Sequence, residues 1–392
     1  MDYDLVVVGG GLAGSSLGMA MAQHGARVLI LEKEAAFKDR VRGEGMLPWG
    51  AAEARALGLY QPLLGSCARD VRWWTTPQGQ RDLHHSPSGL GCLNFYHPDM
   101  QQRLLTLAAE AGCEVRRPAE LMGVMPGQPP TVLVRSGRDD IHVTARLVVG
   151  ADGRNSRVRA WSGLPASRDP DGLIIAGALF QGMNLPDNSI RVTRKPGAAE
   201  ATLVFPVGAG RYRTYFVFRH GARAPLSGAK STAEFMSRCV GTGAPSEWFR
   251  NATLSGPIAS FGGAESWVEQ PYRDGVALIG DAAATSDPTF GCGLSLALRD
   301  VRVLRDHLLA EADWDAAATA YATDHDFYYS ALHRIEGWWR EMFYGVGPEA
   351  EAIQARALPE IAKDPSRVPD IVGLGPEAPH DEAARRRFFA EG

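Results

Sequence analysis

Residues 4–14 read DLVVVGGGLAG, a short apolar strand that runs directly into a cluster of glycines. Gly9 allows a sharp turn off the strand, Gly11 lets the backbone approach a pyrophosphate, and Gly14 lets the next helix pack on the sheet. A second apolar strand, RVLIL, then leads to Glu32, where a carboxylate can accept hydrogen bonds from a ribose diol. The stretch therefore predicts a dinucleotide-binding α/β fold.

The composition is that of an ordinary soluble enzyme. A chain of 392 residues is long enough for two packed domains. Of its residues, 45% are hydrophobic and 22% are charged, which is typical of soluble globular proteins. A net charge of −4 without a dense Lys/Arg block argues against a nucleic-acid partner. The five cysteines are scattered and form no CxxC pair, which predicts reduced thiols in the cytoplasm, with no disulfide framework and no metal site. No run approaches about twenty apolar residues, so no membrane span is predicted.

Hydrophobic patterning predicts that one domain interrupts another. Short alternating segments separated by Gly and Pro fill most of 165–271, which is typical of an antiparallel sheet. Buried strands and helices lie before and after that region. The predicted units are a nucleotide-binding domain made of 1–72, 92–164 and 272–325, a β-rich substrate domain made of 73–91 and 165–271, and a C-terminal helical region, 326–392.

A second informative stretch is VALIGDAAATSDPTFGCG at 276–293. A buried strand delivers Asp281 to its carboxyl end, where parallel sheets bind ligands and a carboxylate can hold a polyol hydroxyl. After Pro288, Gly291 and Gly293 leave bare backbone at the start of a helix, whose amides can stabilise negative charge on a ring system. The alternative is that Asp281 only caps a helix. A third stretch, LVVGADGRNSRVR, taken alone is an ordinary strand-to-helix connection.

Together the three stretches resemble the FAD-binding signatures of the single-component flavoprotein aromatic hydroxylases, whose type member is para-hydroxybenzoate hydroxylase. The family's GxGxxG, DG and GD motifs stand here at 9–14, 152–153 and 280–281. The resemblance implies an α/β fold with a Rossmann-type FAD-binding domain, an inserted and mainly antiparallel β-sheet substrate domain, and C-terminal helices. The chain length suits the short members that lack a C-terminal thioredoxin-like domain.

The resemblance also implies roles for individual residues. Arg42, in RVRGEG, would contact the pyrophosphate as a fork donor to its oxygens. Asp281 would bind the ribityl chain. The full set of cofactor-binding residues is Gly9, Gly11, Leu12, Ala13, Gly14, Glu32, Lys33, Arg42, His97, Asp152, Asp281, Gly291, Gly293 and Leu294.

The reaction centre is predicted from fewer signals. Pro288 matches the family's proline at the reactive face of the flavin, and Arg213 is aligned with an arginine that contacts flavin from the substrate domain. Tyr215 follows on the same strand and is the favoured general base, with His220 as a weaker choice. The predicted substrate residues are Phe205, Tyr215, Pro288, Thr289 and Phe290.

The sequence departs from the family pattern at three places. The GD motif usually continues to a histidine, where this chain has Ala284 or Thr285. His97 stands where the family usually has Arg or Gln. The arginine that binds benzoate in the type member falls on Val207, which argues against a simple benzoate substrate.

In this family NAD(P)H reduces FAD, oxygen adds at flavin C4a, and the hydroperoxide transfers one oxygen atom to an electron-rich substrate. The resemblance therefore implies a monooxygenase that hydroxylates or epoxidises an aromatic or polycyclic small molecule, acting as a monomer or homodimer. The protein must orient the acceptor carbon and exclude water. No second GxGxxG is present, which fits transient binding of NAD(P)H and leaves the choice between NADH and NADPH open.

Other functions remain open at this point. A flavin-dependent halogenase has the same fold, and RGEGMLP echoes its GE-containing loop, but the hallmark WxWxIP stretch is absent. An isoprenoid-type reductase is the other alternative on this fold, and it would turn over without oxygen. A non-catalytic flavoprotein is disfavoured because the sequence shows no obvious tail, repeat or segment for binding a partner. An NAD-dependent dehydrogenase is disfavoured because the GD motif would have no role in it.

Overall fold

The first strand of the chain lies inside a mainly parallel sheet. The computed structural model describes residues 1–41, 43–136, 139–195 and 197–391. The first part of the chain contains β1 (Tyr3–Val8), α1 (Leu12–Gln23), β2 (Val28–Leu31), β3 (Gly45–Met46), α2 (Pro48–Ala56), α3 (Tyr60–Leu64), β4 (Ala68–Val71), β5 (Trp73–Thr76), β6 (Gly79–Asp82), β7 (Cys92–Phe95), α4 (His97–Glu110), β8 (Glu114–Arg116), β9 (Glu120–Met125), β10 (Thr131–Ser136), β11 (Asp139–Gly150) and α5 (Arg157–Trp161).

The second part of the chain begins with short strands and ends in helices. It contains β12 (Ser167–Arg168), β13 (Leu173–Gln181), β14 (Ser189–Lys195), β15 (Glu200–Gly208), β16 (Arg211–Arg219), α6 (Thr232–Val240), β17 (Thr253–Leu254), β18 (Ala259–Gly262), β19 (Ser266–Trp267), β20 (Tyr272–Arg273), β21 (Val276–Leu278), β22 (Ala284–Thr285), α7 (Gly293–Ala310), α8 (Trp314–Tyr344), α9 (Pro348–Lys363) and α10 (Glu382–Phe389). Single 3₁₀ turns lie at Leu83–His85, Ala229–Ser231, Ser246–Phe249, Gly280–Ala282, Pro365–Arg367 and Gly375–Glu377.

The nucleotide-type sheet has the strand order β20-β21-β11-β1-β2-β8. The pairs from β21 to β8 are parallel, and a hairpin-like extension, β9 and β10, adds antiparallel pairing to β11. In β1, Leu5 and Val7 join one buried cluster while Val6 and Val8 join another. Burial on both faces explains why this strand is apolar throughout rather than alternating. The α/β class and the Rossmann-type domain are confirmed.

The second large sheet has the order β17-β13-β16-β15-β14-β5-β6. Its strands are antiparallel apart from the β5–β14 pair, and that pair joins the 73–82 hairpin to the inserted region. This pairing supports the predicted grouping of 73–91 with 165–271, although the domain boundaries themselves stay a prediction. One face of the sheet packs on α6 through Phe235 and Cys239.

Two short sheets connect the larger units, and one of them corrects a local expectation. The charge and glycine content of 33–50 predicts no regular element there, and the apolar spacing of AAEARALGL predicts a helix from residue 51. Instead β3 pairs with β7, and α2 begins at Pro48 rather than at residue 51. Proline fits the first turn of a helix because its missing N–H has no partner there, and the strand forms because β7 supplies the pairing.

Candidate active site

A large cavity of about 830 Å³ is lined by residues of both large sheets. The strand–helix turn that opens the chain, the end of β2 and the loop before α7 form one part of its wall. Strands β13, β15 and β16 form another part. The volume falls in the range of small-molecule and cofactor sites.

The turn after β1 is closed as tightly as the glycine spacing predicts. A Cβ built on Gly14 would lie 1.9 Å from the Gly9 carbonyl oxygen, and one built on Gly9 would lie 2.3 Å from the Ala151 carbonyl oxygen. Gly9 also has φ +106°, which favours glycine. These close approaches bring the first turn of α1, with Leu12 and Ala13, to the cavity wall.

Helix α1 offers its N-terminus to the cavity. Its N-cap is Gly11, which has no side chain to accept from the first amides. Among the described residues, the first turn of α1 also contains no acidic side chain. The first amides of a helix carry partial positive charge and need acceptors. A diphosphate supplies such acceptors, so this end of the cavity fits the pyrophosphate of FAD.

Glu32 lies at the end of β2, is 6% exposed and lines the cavity. Its two carboxylate oxygens accept hydrogen bonds from the amides of Gly10 at 2.8 Å and Glu34 at 2.7 Å. Each oxygen keeps a second lone pair, so the carboxylate is oriented by the backbone and can still accept ribose hydroxyls. Lys33 lines the cavity beside it.

The aspartates of the DG and GD motifs, Asp152 and Asp281, both line the cavity but lie in different local structures. Asp152 accepts hydrogen bonds from Ser156 Oγ at 2.5 Å and from the Arg157 and Val158 amides at 2.7 and 3.2 Å, so it closes the turn into α5 while lining the cavity. Asp281 lies in the 3₁₀ turn after β21 and also lines the cavity.

His97 begins α4, and its Nδ1 lies 2.7 Å from the carbonyl oxygen of Gly43. It therefore ties α4 to the Gly-rich loop, and it lines the cavity. Arg42, the predicted pyrophosphate ligand of that loop, lies outside the described residues.

A second helix N-terminus lines the same cavity. Helix α7 begins at Gly293, and a Cβ built there would have no neighbour within 4 Å. Gly291, with φ +76°, and Leu294 lie beside it, and all three line the cavity. Pro288, Thr289 and Phe290 continue this wall. Open backbone at a helix start fits a flavin ring that carries partial negative charge.

The part of the cavity on the second large sheet is apolar. Strand alternation places Ile175, Leu203, Phe205, Tyr215 and Val217 on one face of β13, β15 and β16, and each of them lines the cavity. The predicted substrate residues, Phe205, Tyr215, Pro288, Thr289 and Phe290, are therefore brought together at one cavity. Val207, where the type member has its benzoate-binding arginine, is buried and lies outside the lining.

Arg213 shares the strand face of Tyr215 but does not line the cavity. Its side chain is fully buried, with Nε donating to Glu44 Oε1 at 3.0 Å and Nη2 donating to Asp39 at 2.6 Å. The segment before β3 thus holds the guanidinium with two carboxylates. His220, the weaker base candidate, lines a separate cavity of about 360 Å³.

Glu44 is the site residue that the sequence analysis missed. It is 5% exposed, lines the cavity, and accepts a short hydrogen bond from the Tyr215 hydroxyl. Burial raises the pKa of Glu44. Burial and the neighbouring charge of Glu44 raise the pKa of Tyr215 well above its usual value. The RVRGEG loop was a visible signal, but its pairing with Arg213 joins residues 169 positions apart and has no local signature.

Among the described residues, no helix combines the length and apolarity needed to cross a bilayer.

Comparisons with known proteins fit this geometry. The 6-methylpretetramide 4-monooxygenase of Streptomyces rimosus is 26% identical over 93% of this chain and 90% of its own length. Digeranylgeranylglycerophospholipid reductase 2 of Methanopyrus kandleri is 29% identical over 88% of this chain and 83% of its own length. The structure of the flavin-dependent brominase Bmp2 superposes with a TM-score of 0.73 at 18% identity, covering 98% of this chain and 97% of that one, which shows a shared fold.

The family model described as an FAD binding domain matches residues 2–325 of the chain. That match spans all three motifs and the inserted sheet, and it confirms the family inferred from them. The chain belongs to the FAD-binding domain family of flavoproteins that includes the aromatic monooxygenases.

Proposed function

We propose that this chain is an FAD-dependent monooxygenase that uses NAD(P)H and oxygen to hydroxylate or epoxidise a neutral aromatic or polycyclic small molecule. One observation carries the proposal: a cavity with two helix N-termini on one wall has an apolar sheet face as another wall. Bound FAD supplies the redox and oxygen chemistry. The monooxygenase relative, similar over most of both chains, supports the reaction type.

The chain's own residues bind and orient. The Leu12 and Ala13 amides hold the diphosphate, Glu32 the ribose, and Asp281 the ribityl chain. The amides at Gly293 and Leu294 would face the flavin ring, and Pro288 would lie beside it, since all three line the cavity. These assignments agree with the position of each residue on the cavity wall.

The apolar wall selects the substrate. Ile175, Leu203 and Val217 present aliphatic groups, while Phe205 and Phe261 present rings. Arg213, a buried cation on the same strand face as Tyr215, is already engaged by two carboxylates. A substrate carboxylate would be desolvated there without a paired charge, which is costly. A neutral, extended apolar substrate is favoured.

Tyr215 and Glu44 together form the proton acceptor for a phenolic substrate. Tyr215 alone is a poor base, because burial and the Glu44 charge keep its hydroxyl protonated. A substrate hydroxyl bonded to Tyr215 can pass its proton to the Tyr215 oxygen while Tyr215 passes its own proton to Glu44. Arg213 fixes the Glu44 carboxylate during this transfer.

The test is substrate-stimulated NAD(P)H oxidation in isotopically labelled oxygen. The proposal expects that oxygen is required and that one labelled atom appears in the product. Coloured protein that never couples NAD(P)H oxidation to oxygen transfer, across a panel of neutral polycyclic compounds, would contradict it.

An isoprenoid-type reductase is the second candidate. The aliphatic part of the cavity wall and the similarity to the archaeal reductase favour it. Saturation of an isoprenoid double bond under strict anaerobic conditions would support the reductase against the monooxygenase. Product formation that depends on added halide would instead indicate a halogenase.

A further inference from the structure

The long helix α8 makes hydrogen bonds along one face to β21, β22 and α7, the elements on either side of the 286–292 loop in the chain. Tyr321 Oη donates to the Leu278 carbonyl at 2.7 Å, and Tyr329 Oη donates to the Thr285 carbonyl at 3.4 Å. Between them, Tyr328 Oη donates to Asp300 at 2.5 Å, and the same aspartate accepts the Gly280 amide at 2.7 Å. Tyr328 and Tyr329 follow Tyr321 by seven and eight residues, about two helical turns, so the three side chains lie on one face of the helix.

Glu336 follows Tyr329 by seven residues on the same face of α8, and it holds the loop that carries Pro288. Its side chain is 0% exposed. Oε1 accepts the Ser286 hydroxyl at 2.7 Å, and Oε2 accepts the Asp287 amide at 3.1 Å. Ser286 and Pro288 both line the cavity, whereas Glu336 does not. The carboxylate therefore supports this part of the wall from the side that faces away from the cavity.

A cluster of charged groups, partly buried and partly exposed, surrounds Glu336. Asp287 accepts the Thr289 amide at 2.9 Å and Arg340 Nε at 3.3 Å. Arg340 also pairs with Glu265, whose buried Oε2 lies 3.7 Å from His333 Nε2. The remaining groups that face the cluster are Asp169 and His333, 2.9 Å apart, and the Cys292 thiol and Tyr329 hydroxyl.

Four carboxyl groups thus face one guanidinium and one imidazole. Glu336, Asp287 and Glu265 are buried, whereas Asp169, His333 and Arg340 are partly exposed. Burial and the charge of Asp287 raise the pKa of Glu336 to about 7, and burial and the charge of Glu336 raise the pKa of Glu265 to about 9. The cluster therefore keeps a proton at neutral pH and takes up another as the solution becomes mildly acidic.

Protonation changes what Glu336 can do for the loop. The ionised carboxylate accepts from both Ser286 and Asp287. In a protonated carboxyl one oxygen becomes a hydroxyl, which leaves the carbonyl oxygen as the main acceptor. The Asp287 amide can only donate, so it and the Ser286 hydroxyl then compete for that one oxygen. Loss of an acceptor for a buried amide favours movement of the segment that contains Pro288.

We propose that Glu336 is a positioning residue for the flavin: its ionised carboxylate holds residues 286–292 against the ring, and proton uptake by the Glu336–Asp287–Glu265 cluster loosens that hold. The inference rests on the proposed FAD site, but it requires neither substrate nor oxygen.

The experiment is a pH titration of the FAD-loaded full chain, followed by visible absorbance and by the Kd of FAD. The wild type is expected to show a one-proton spectral change near pH 7, with Kd weaker by about 2- to 10-fold on the acid side, the worth of one hydrogen bond. Glu336→Gln is expected to abolish this change. Glu341→Gln makes the same substitution at an exposed position of the same helix and is expected to titrate like the wild type.

Ser286→Ala is the second variant, and it tests the inference even where Glu336→Gln fails to fold. It removes one donor to the ionised carboxylate, so the midpoint should move to higher pH. A wild type whose bound flavin is insensitive to pH, a Glu336→Gln variant that titrates normally, or an unchanged Ser286→Ala midpoint would each overturn the inference. A chain that binds no FAD at any pH would instead overturn the proposed function.

Discussion

Gly14→Ala tests whether the first turn of the chain sets the position of the cofactor. The added Cβ would lie 1.9 Å from the Gly9 carbonyl oxygen and 2.9 Å from Val7 Cγ1, and backbone cannot rotate away as a side-chain end can. Restoring an ordinary separation requires α1 to withdraw by about 1.5 Å, which carries the Leu12 and Ala13 amides out of hydrogen-bond reach.

The expected cost follows from that displacement. Overpacking of this kind costs about 1–3 kcal/mol of folding stability, and an equal loss in binding corresponds to about 5- to 150-fold in Kd. The assay is fluorescence titration of the apoprotein with FAD, with thermal unfolding measured on the same samples. Gly337→Ala is the matched control, because a Cβ there has no neighbour within 4 Å and the position is inside a helix.

The control should bind FAD normally and unfold at the same or a slightly higher temperature, since alanine is favoured over glycine inside a helix by about 0.5–1 kcal/mol. A Gly14→Ala protein with unchanged Kd and unchanged Tm would refute the reasoning, because it would show that α1 does not depend on that close approach.

Three further outcomes follow from the site. Glu32→Gln replaces one acceptor oxygen with a donor facing the amide of Gly10 or Glu34, so FAD affinity should fall about tenfold with a normal flavin spectrum; a wild-type Kd from the same titration would contradict it. Tyr215→Phe should lower turnover of a phenolic substrate about 100-fold and leave FAD binding intact, whereas Tyr212→Phe, on the opposite face of the strand, should leave turnover unchanged. Because the pKa of Glu265 is raised from 4.5 to about 9, the folded state binds more protons than the unfolded state, and the free energy of unfolding should fall as pH rises through that window, by up to about 1.4 kcal/mol per pH unit. Glu265→Gln should flatten the slope in urea unfolding series across pH, and an unaltered slope would count against the cluster.

Much of the cofactor end could be predicted because its signals are local. Gly9 and Gly14 are five residues apart and in contact, and Gly291 lies just before α7, of which Gly293 is the first residue. The spacing of the glycines predicts such short-range geometry without knowledge of the rest of the fold.

The interior of the site depends on contacts between distant segments, which spacing does not reveal. Strand alternation correctly puts Arg213 on the same face as Tyr215, but the segment carrying Asp39 and Glu44 engages its guanidinium. Likewise, the sequence predicts a C-terminal helical region, but it does not show that Glu336 packs against the 286–292 loop, which is the contact that accounts for its burial.

A crystal structure of the chain reconstituted with FAD tests the central claim most directly. The account predicts the diphosphate on the Leu12 and Ala13 amides and the ring between Pro288 and the apolar face that carries Tyr215. FAD bound elsewhere, or a ring separated from that face by ordered protein, would contradict it.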